Sequence, residues 1–243
     1  MPPAFAFDQG KSVPSAGYAF LRPTQTEEEA GKYITRNLLQ NHFRKLAVND
    51  SLSREIFRRY IESLDAEKNL FTAVEVENLR RLYANRFDDE LLAGRSDAGF
   101  AIYNFFLKRA REKMLFMKAR AETVRFDFSV PETLDIDRKA DPWPADRQEL
   151  LAHWRKELKY QWLNLKYSGD NVAGIRSELV KSLSSRLNLL GRQKHEDAFQ
   201  AYINSVTTSF DPHTGYFSPD EYENFQIDMS RSLEGIGAKL QTE

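Results

Sequence analysis

The amino-acid sequence predicts an all-α protein, a multi-helix array of antiparallel helices with the start of a β-strand at its C-terminal end. Three observations lead there. Every strong apolar period lies near about 3.6 residues, which is helical. Helix-start signatures precede the periodic segments and Gly or Pro follows them. Only the residues after Gly235 alternate, with Ile236, Ala238 and Leu240 on one side, and alternation is the period of a strand. With 243 residues, an apolar fraction of 41% and 17 Phe, 10 Tyr and 3 Trp, the chain has the material for a buried core and lacks the composition of a disordered one.

Residues 1–25 carry Pro2, Pro3, Pro14 and Pro23 among Gly and Ser, so a flexible N-terminal arm is expected. Thr24 and Glu27 form a capping box, opening a helix over about 26–46. After the turn Val48-Asn49-Asp50-Ser51, the recurrence of Leu52, Ile56, Tyr60 and Leu64 predicts a second helix. Thr72 and Glu75 form another box, opening a helix with Val76, Leu79, Tyr83 and Phe87 on its apolar side and Gly94 at its end. From Asp97 a long helix places Tyr103, Leu107, Ala110, Met114, Met117, Ala121 and Val124 alternately four and three residues apart, a seam for a neighbouring helix. These helices make a first subdomain, 26–125.

Residues 126–145 interrupt the pattern with Pro131, Pro142 and Pro144 around Trp143. An ordered crossover loop is expected, because an indole is costly to leave in water. A second helical subdomain, 146–234, follows. One helix spans about 146–167, with Leu151, Trp154, Leu158, Trp162 and Leu165. The next carries Val172, Ile175, Leu179, Leu183, Leu187 and Leu190 and stops at Gly191. A third carries Phe199, Tyr202, Val206 and Phe210 and ends before Asp211-Pro212. Residues 235–243 are read as a truncated first strand. A strand with no partner leaves its N–H and C=O groups unpaired, so this chain is read as the front part of a longer molecule.

The composition narrows the chemistry. A formal net charge of −1 offers no broad attraction to nucleic acid. Lys108, Arg109, Arg111, Lys113, Lys118 and Arg120 crowd one helix but lack the interleaved aromatic platforms of a nucleic-acid module, and they read as a solvated face. With no cysteine, disulfides, thiolate zinc sites and Cys nucleophiles are excluded. His42, His153, His195 and His213 show no paired ligand spacing. Asp135, Asp137 and Asp141 match three positions of a calcium loop, but Lys139, Ala140 and Asp146 fall where the remaining ligands and the glycine belong. No cofactor or metal is therefore expected, and no run is long enough for a transmembrane segment.

The densest polar cluster is Asp211-Pro212-His213-Thr214-Gly215-Tyr216, followed by Ser218-Pro219-Asp220-Glu221. Asp211, His213 and Ser218 supply the groups of a hydrolytic triad, yet such groups must align in one hydrogen-bonded row and usually come from distant loops. Ser218 is better explained as an N-cap, with Pro at the first helical position and Glu three residues on. Ser177 and Lys181 lie one turn apart and suggest a Ser-Lys dyad, but fit the wet side of an amphipathic helix. Gly235-Ile236-Gly237 is half of a dinucleotide fingerprint, and it is read as the joint between a helix and a strand.

Two blocks carry a specific resemblance: Asp211 to Pro219, and Met229-Ser230-Arg231-Ser232-Leu233-Glu234-Gly235-Ile236-Gly237-Ala238. With Asn41-His42-Phe43-Arg44-Lys45, Ile56 to Tyr60, Leu64-Asp65 and Lys139 to Pro144, the chain over about 27–243 resembles the N-terminal helical region of bacterial tail-specific proteases, the long carboxy-terminal processing peptidases. The resemblance implies a periplasmic serine-type enzyme. In that family a PDZ domain reads apolar C-terminal tails by strand addition and a Ser-Lys dyad cleaves. Both are expected downstream of Glu243, so no catalytic residue is carried onto this chain and it is expected to be inactive alone. The lack of a basic, apolar leader at Met1 fits a chain that starts after a removed signal peptide. Implied partners are the chain's own PDZ and protease domains, protein substrates with apolar C-termini and a helical-repeat lipoprotein adaptor. A free-standing helical interaction module, without an enzyme, is the other reading of the segment.

Overall fold

A computed structural model describes residues 20–230. Nine helices occur among the described residues: α1 (Gln25–Asn41), α2 (Asp50–Leu64), α3 (Ala73–Tyr83), α4 (Phe87–Ala93), α5 (Asp97–Thr123), α6 (Arg147–Tyr167), α7 (Val172–Gly191), α8 (His195–Phe210) and α9 (Pro219–Ser230). The all-α expectation holds, and the expected strand lies outside the described residues, as do Gly235, Ile236 and Gly237.

Both capping boxes form. Thr24 and Thr72 accept the N–H of Glu27 and Glu75, and those glutamates reach back to the cap N–H. Asn49 caps α2 and Asp146 caps α6, each satisfying N–H groups the first turn leaves unpaired. Two helix ends differ from expectation. α1 stops at Asn41 instead of 46, because His42 turns into extended backbone (φ −65°, ψ 141°) and its side chain serves a distant turn. The helix expected to run through to Gly94 breaks after Tyr83, where the N–H of Phe87 is taken by the Ser53 hydroxyl of α2 at 2.9 Å. Gly94 then closes α4 in the left-handed conformation, φ 67°, as a helix C-terminus favours.

Burial separates two apolar clusters. The larger draws on α1 to α5 and α8, with Ile56, Tyr60, Phe71, Phe87, Phe100, Ile102, Tyr202 and Phe210 all nearly inaccessible. Its centre is aromatic: Tyr202 stacks on Phe87 at 5.6 Å and meets Tyr60 edge-on at 6.1 Å, geometries that suit the ring quadrupoles. α5 passes α8 here at Gly99. A Cβ on that residue would lie 2.6 Å from Cγ of Tyr202, so the absence of a side chain sets the closeness of the crossing. The smaller cluster joins the C-terminal half of α5 to α6 and α7 through Met117, Ala121, Leu158, Trp162, Ile175, Leu179 and Leu183. The 27-residue α5 therefore lines both. On α6 the buried row is Leu150, Trp154, Leu158 and Trp162, so Leu150 takes the inward place expected of Leu151. The residues ahead of α1 are clasped by Asn104 of α5, whose side-chain amide exchanges two 2.9 Å hydrogen bonds with the backbone of Leu21.

Candidate functional site

The polar cluster at 211–218 is a turn built to hold one helix at the end of another. The Asp211 carboxylate accepts the His213 N–H at 2.8 Å, and the Asp211 carbonyl accepts the Thr214 N–H at 3.0 Å. That is an Asx-turn, in which a short acid replaces backbone partners. The His213 ring is exposed, and among the described residues no side-chain hydrogen bond links Asp211, His213 and Ser218. The Ser218 hydroxyl instead accepts the Glu221 N–H at 3.3 Å, while its carbonyl accepts the Tyr222 N–H at 2.8 Å. Asp211, Pro212, His213, Thr214 and Ser218 thus lie in one joint whose hydrogen bonds are those of turn and cap. Hydrolysis would need the row they do not form.

Residues far away in the chain lock this joint. His42 reaches the Thr214 hydroxyl through Nε2 at 3.1 Å. The other ring nitrogen, Nδ1, lies 3.1 Å from the Arg44 backbone nitrogen and 3.2 Å from the Arg44 carbonyl oxygen, which pins the imidazole between the Arg44 backbone and Thr214. The Arg44 guanidinium donates to the Phe210 carbonyl at 2.8 Å, placing a cation at the negative end of α8. On the other side, the Asn204 amide accepts the Tyr216 N–H at 2.7 Å and donates to the Tyr216 carbonyl at 3.2 Å. The Tyr216 ring rests edge-on against Phe199 at 5.6 Å, and burial raises its phenol pKa above the ordinary value.

From this joint α9 projects with little support. Gln200 holds Glu221 at 2.6 Å, and Phe217 stacks on Phe225 at 5.3 Å. Phe217, Tyr222, Phe225 and Met229 are all substantially exposed, Met229 at 70%. Tyr222, Phe225 and Met229 are spaced to share one side of a helix. Beside the joint, between α2 and α8, lies an open groove of about 610 Å³ bordered by Arg58, Arg59, Glu62, Asn204, Thr208 and Pro212. Arg58 and Arg59 are engaged there by Glu55, and Arg58 also by Glu62.

A second polar node organises the crossover loop. Asp65, 3% exposed, accepts the N–H groups of Asn69, Leu70 and Phe71 at 2.8 to 3.2 Å and the Trp143 indole N–H at 3.0 Å. Lys68 stands over the indole at 5.0 Å. Trp143 is accordingly ordered, its polar tip satisfied and its ring partly covered. Asp135 and Asp141 are used locally, by the Asp137 N–H and by Arg138. Among the described residues no group of three or more His, Asp or Glu is placed to hold a metal. Ser177 and Lys181 are both exposed on α7.

Sequence reasoning found the turn and the cap but passed over His42 and Arg44 as partners of Thr214 and Phe210. It also passed over Asn204, Asn104 and Asp65.

Residues 34–220 match the protein family described as the tail specific protease N-terminal domain. The tail-specific protease of Haemophilus influenzae is 32% identical over 223 residues, which are 91% of this chain and 32% of that protein. The chain spans about a third of the length of that relative.

Proposed function

Because the chain belongs to the tail-specific protease N-terminal domain family, we propose that it is the helical platform of a periplasmic serine-type tail-specific protease. On this reading the platform docks on a PDZ and protease core and helps engage substrates with apolar C-termini, or a helical-repeat lipoprotein adaptor. Recognition and cleavage are assigned to the PDZ domain and the Ser-Lys dyad, so the 243-residue chain has no peptidase activity of its own. No helix among the described residues is long and apolar enough to cross a membrane.

The observation that carries the docking role is the joint and the helix it aims. Asp211, Thr214 and Tyr216 are held from three sides, so α9 leaves the body in a defined direction, yet Phe217, Tyr222, Phe225 and Met229 stay in water. A fixed joint bearing an uncovered apolar stripe fits a helix that packs on another domain. In the whole protease, Tyr222→Ser with Phe225→Ser and Met229→Ser is expected to cut cleavage of substrates bearing apolar tails, while labelling of the nucleophile by a small active-site reagent continues. Unchanged cleavage, with α9 amides exchanging equally fast in the whole protease and in the isolated chain, would remove the docking role. Peptidase activity in the purified 243-residue chain would remove the assignment of catalysis to the core.

A further inference from the structure

Three residues whose buried hydroxyls have no hydrogen-bond partner among the described residues line one small cavity. Thr35 Oγ1 on α1, Ser96 Oγ at the start of α5 and Tyr202 Oη on α8 are each buried with no hydrogen bond among the described residues. The parent residues are 7%, 2% and 1% exposed. All three line a cavity of about 10 Å³ where α1, the turn between α4 and α5, and α8 meet. That is about the space that one water molecule needs. A buried hydroxyl left unpaired costs about 1–3 kcal/mol, so three around one void call for a common partner.

We propose that this cavity is a binding site for a single buried water molecule, held by Thr35, Ser96 and Tyr202. The number of partners is right, since buried waters typically make about three hydrogen bonds. The chemistry is right as well, because each hydroxyl can turn to donate or accept as the water requires.

The placement of Ser96 supports this independently. Serine at this position ordinarily caps its own helix, yet Ser96 makes no capping bond. The Glu90 carboxylate of α4 takes that role, accepting the Ala98 N–H at 2.8 Å. Glu90 thereby leaves the Ser96 hydroxyl to the cavity. Glu27 also lines the cavity, but both of its oxygens are engaged: Oε1 faces His195 at 2.8 Å and Oε2 accepts from Thr24. The remaining walls combine the apolar Leu91, Phe199 and Ile203 and the glycines Gly31 and Gly94 with two charged residues, Glu28 on α1 and Arg95 in the turn before α5. The water joins three helices of the larger cluster, among them α1, whose first turn reaches α8 through the pair of Glu27 and His195.

The test combines a high-resolution crystal structure of the protein with a hydroxyl-deletion series. Density for one ordered water within hydrogen-bond distance of all three oxygens is expected. Thr35→Val, Ser96→Ala and Tyr202→Phe should each lower the melting temperature by about 2–4 °C. The triple variant should lose clearly less than the sum of the three, because groups sharing one partner do not act additively. Direct hydrogen bonds among the three hydroxyls with no water between them would overturn the proposal. Strictly additive losses would overturn it too.

Discussion

Asp65 shows how much one buried carboxylate can organise. It gathers three successive backbone N–H groups and an indole N–H, so removing it strands four donors at once. Asp65→Ala is expected to lower unfolding free energy by about 2–4 kcal/mol, and Asp65→Asn by less, since an amide keeps one acceptor. Urea denaturation of the two variants checks the order, and equal losses would show that the neutral acceptor kept by the amide contributes nothing to holding the loop. His153 on α6 makes a pH-dependent case. Burial, and after it the Arg138, Lys113 and Lys156 charges, push its pKa below the ordinary value of 6.5, while Glu157 partly opposes them. The folded state thus binds the proton less readily than the unfolded state. Its contribution to stability is complete above the unfolded pKa of about 6.5 and is lost as pH falls through the lowered one. Between pH 7 and 5.5 the wild-type melting temperature should fall more steeply than that of His153→Gln, and parallel profiles would assign the slope to other groups. None of this was legible in the sequence. Asp65 and His153 look like ordinary polar residues until the crossover loop and α5 close over them.

At the scale of elements, helix starts were readable, and ends were readable where the stop is local, as for α6 at Tyr167, α7 at Gly191 and α8 at Phe210, but not where it is set from a distance. A start is set by a cap and a residue three places on, a local matter, so Thr24, Thr72 and Ser218 were assignable from spacing. An end can be set from anywhere. α1 stops at Asn41 because His42 and Arg44 answer to a turn and a carbonyl more than 160 residues away. The apolar row of Leu79, Tyr83 and Phe87 runs unbroken through a real break, since a hydroxyl of α2 takes the N–H there. The cluster at 211–218 was read correctly as a turn and a cap, but not what holds it. α9 itself yields a prediction. Its cap bond, from the Glu221 N–H to Ser218 at 3.3 Å, is worth about 0.5–2 kcal/mol, and α9 packs little on the body. Ser218→Ala should therefore speed amide exchange at Tyr222 to Phe225 and leave global unfolding almost unmoved, while Ser218→Asp preserves protection. A large global loss from Ser218→Ala would mean that α9 is part of the cooperative core.

For the molecule as a whole, apolar periodicity announced which face of each helix is buried but not against what. Phe199, Tyr202, Val206 and Phe210 were identified as a stripe, and nothing in their spacing says that they complete a cluster begun by α1 to α5. The physical reason is that a helical stripe accepts any complementary surface, and the choice is made by the sum of all the packings. Residues 20–125 made alone should consequently be helical but loosely packed, with no cooperative melting transition. Joining residues 194–217 to them by a flexible linker should restore one, and a sharp transition in 20–125 alone would show α8 to be dispensable. The same arrangement bears on biosynthesis. A ribosome delivers the segment up to α5, then about seventy residues that belong chiefly to the crossover and the smaller cluster, and only then the helix that closes the larger one. At a synthesis rate of about 5–20 residues per second, the nascent chain spends several seconds with Tyr60, Phe87 and Phe100 uncovered. For that interval the unfinished polypeptide presents apolar surface of the kind that aggregates, and slowing elongation ahead of the codon for His195 is expected to raise the aggregated fraction.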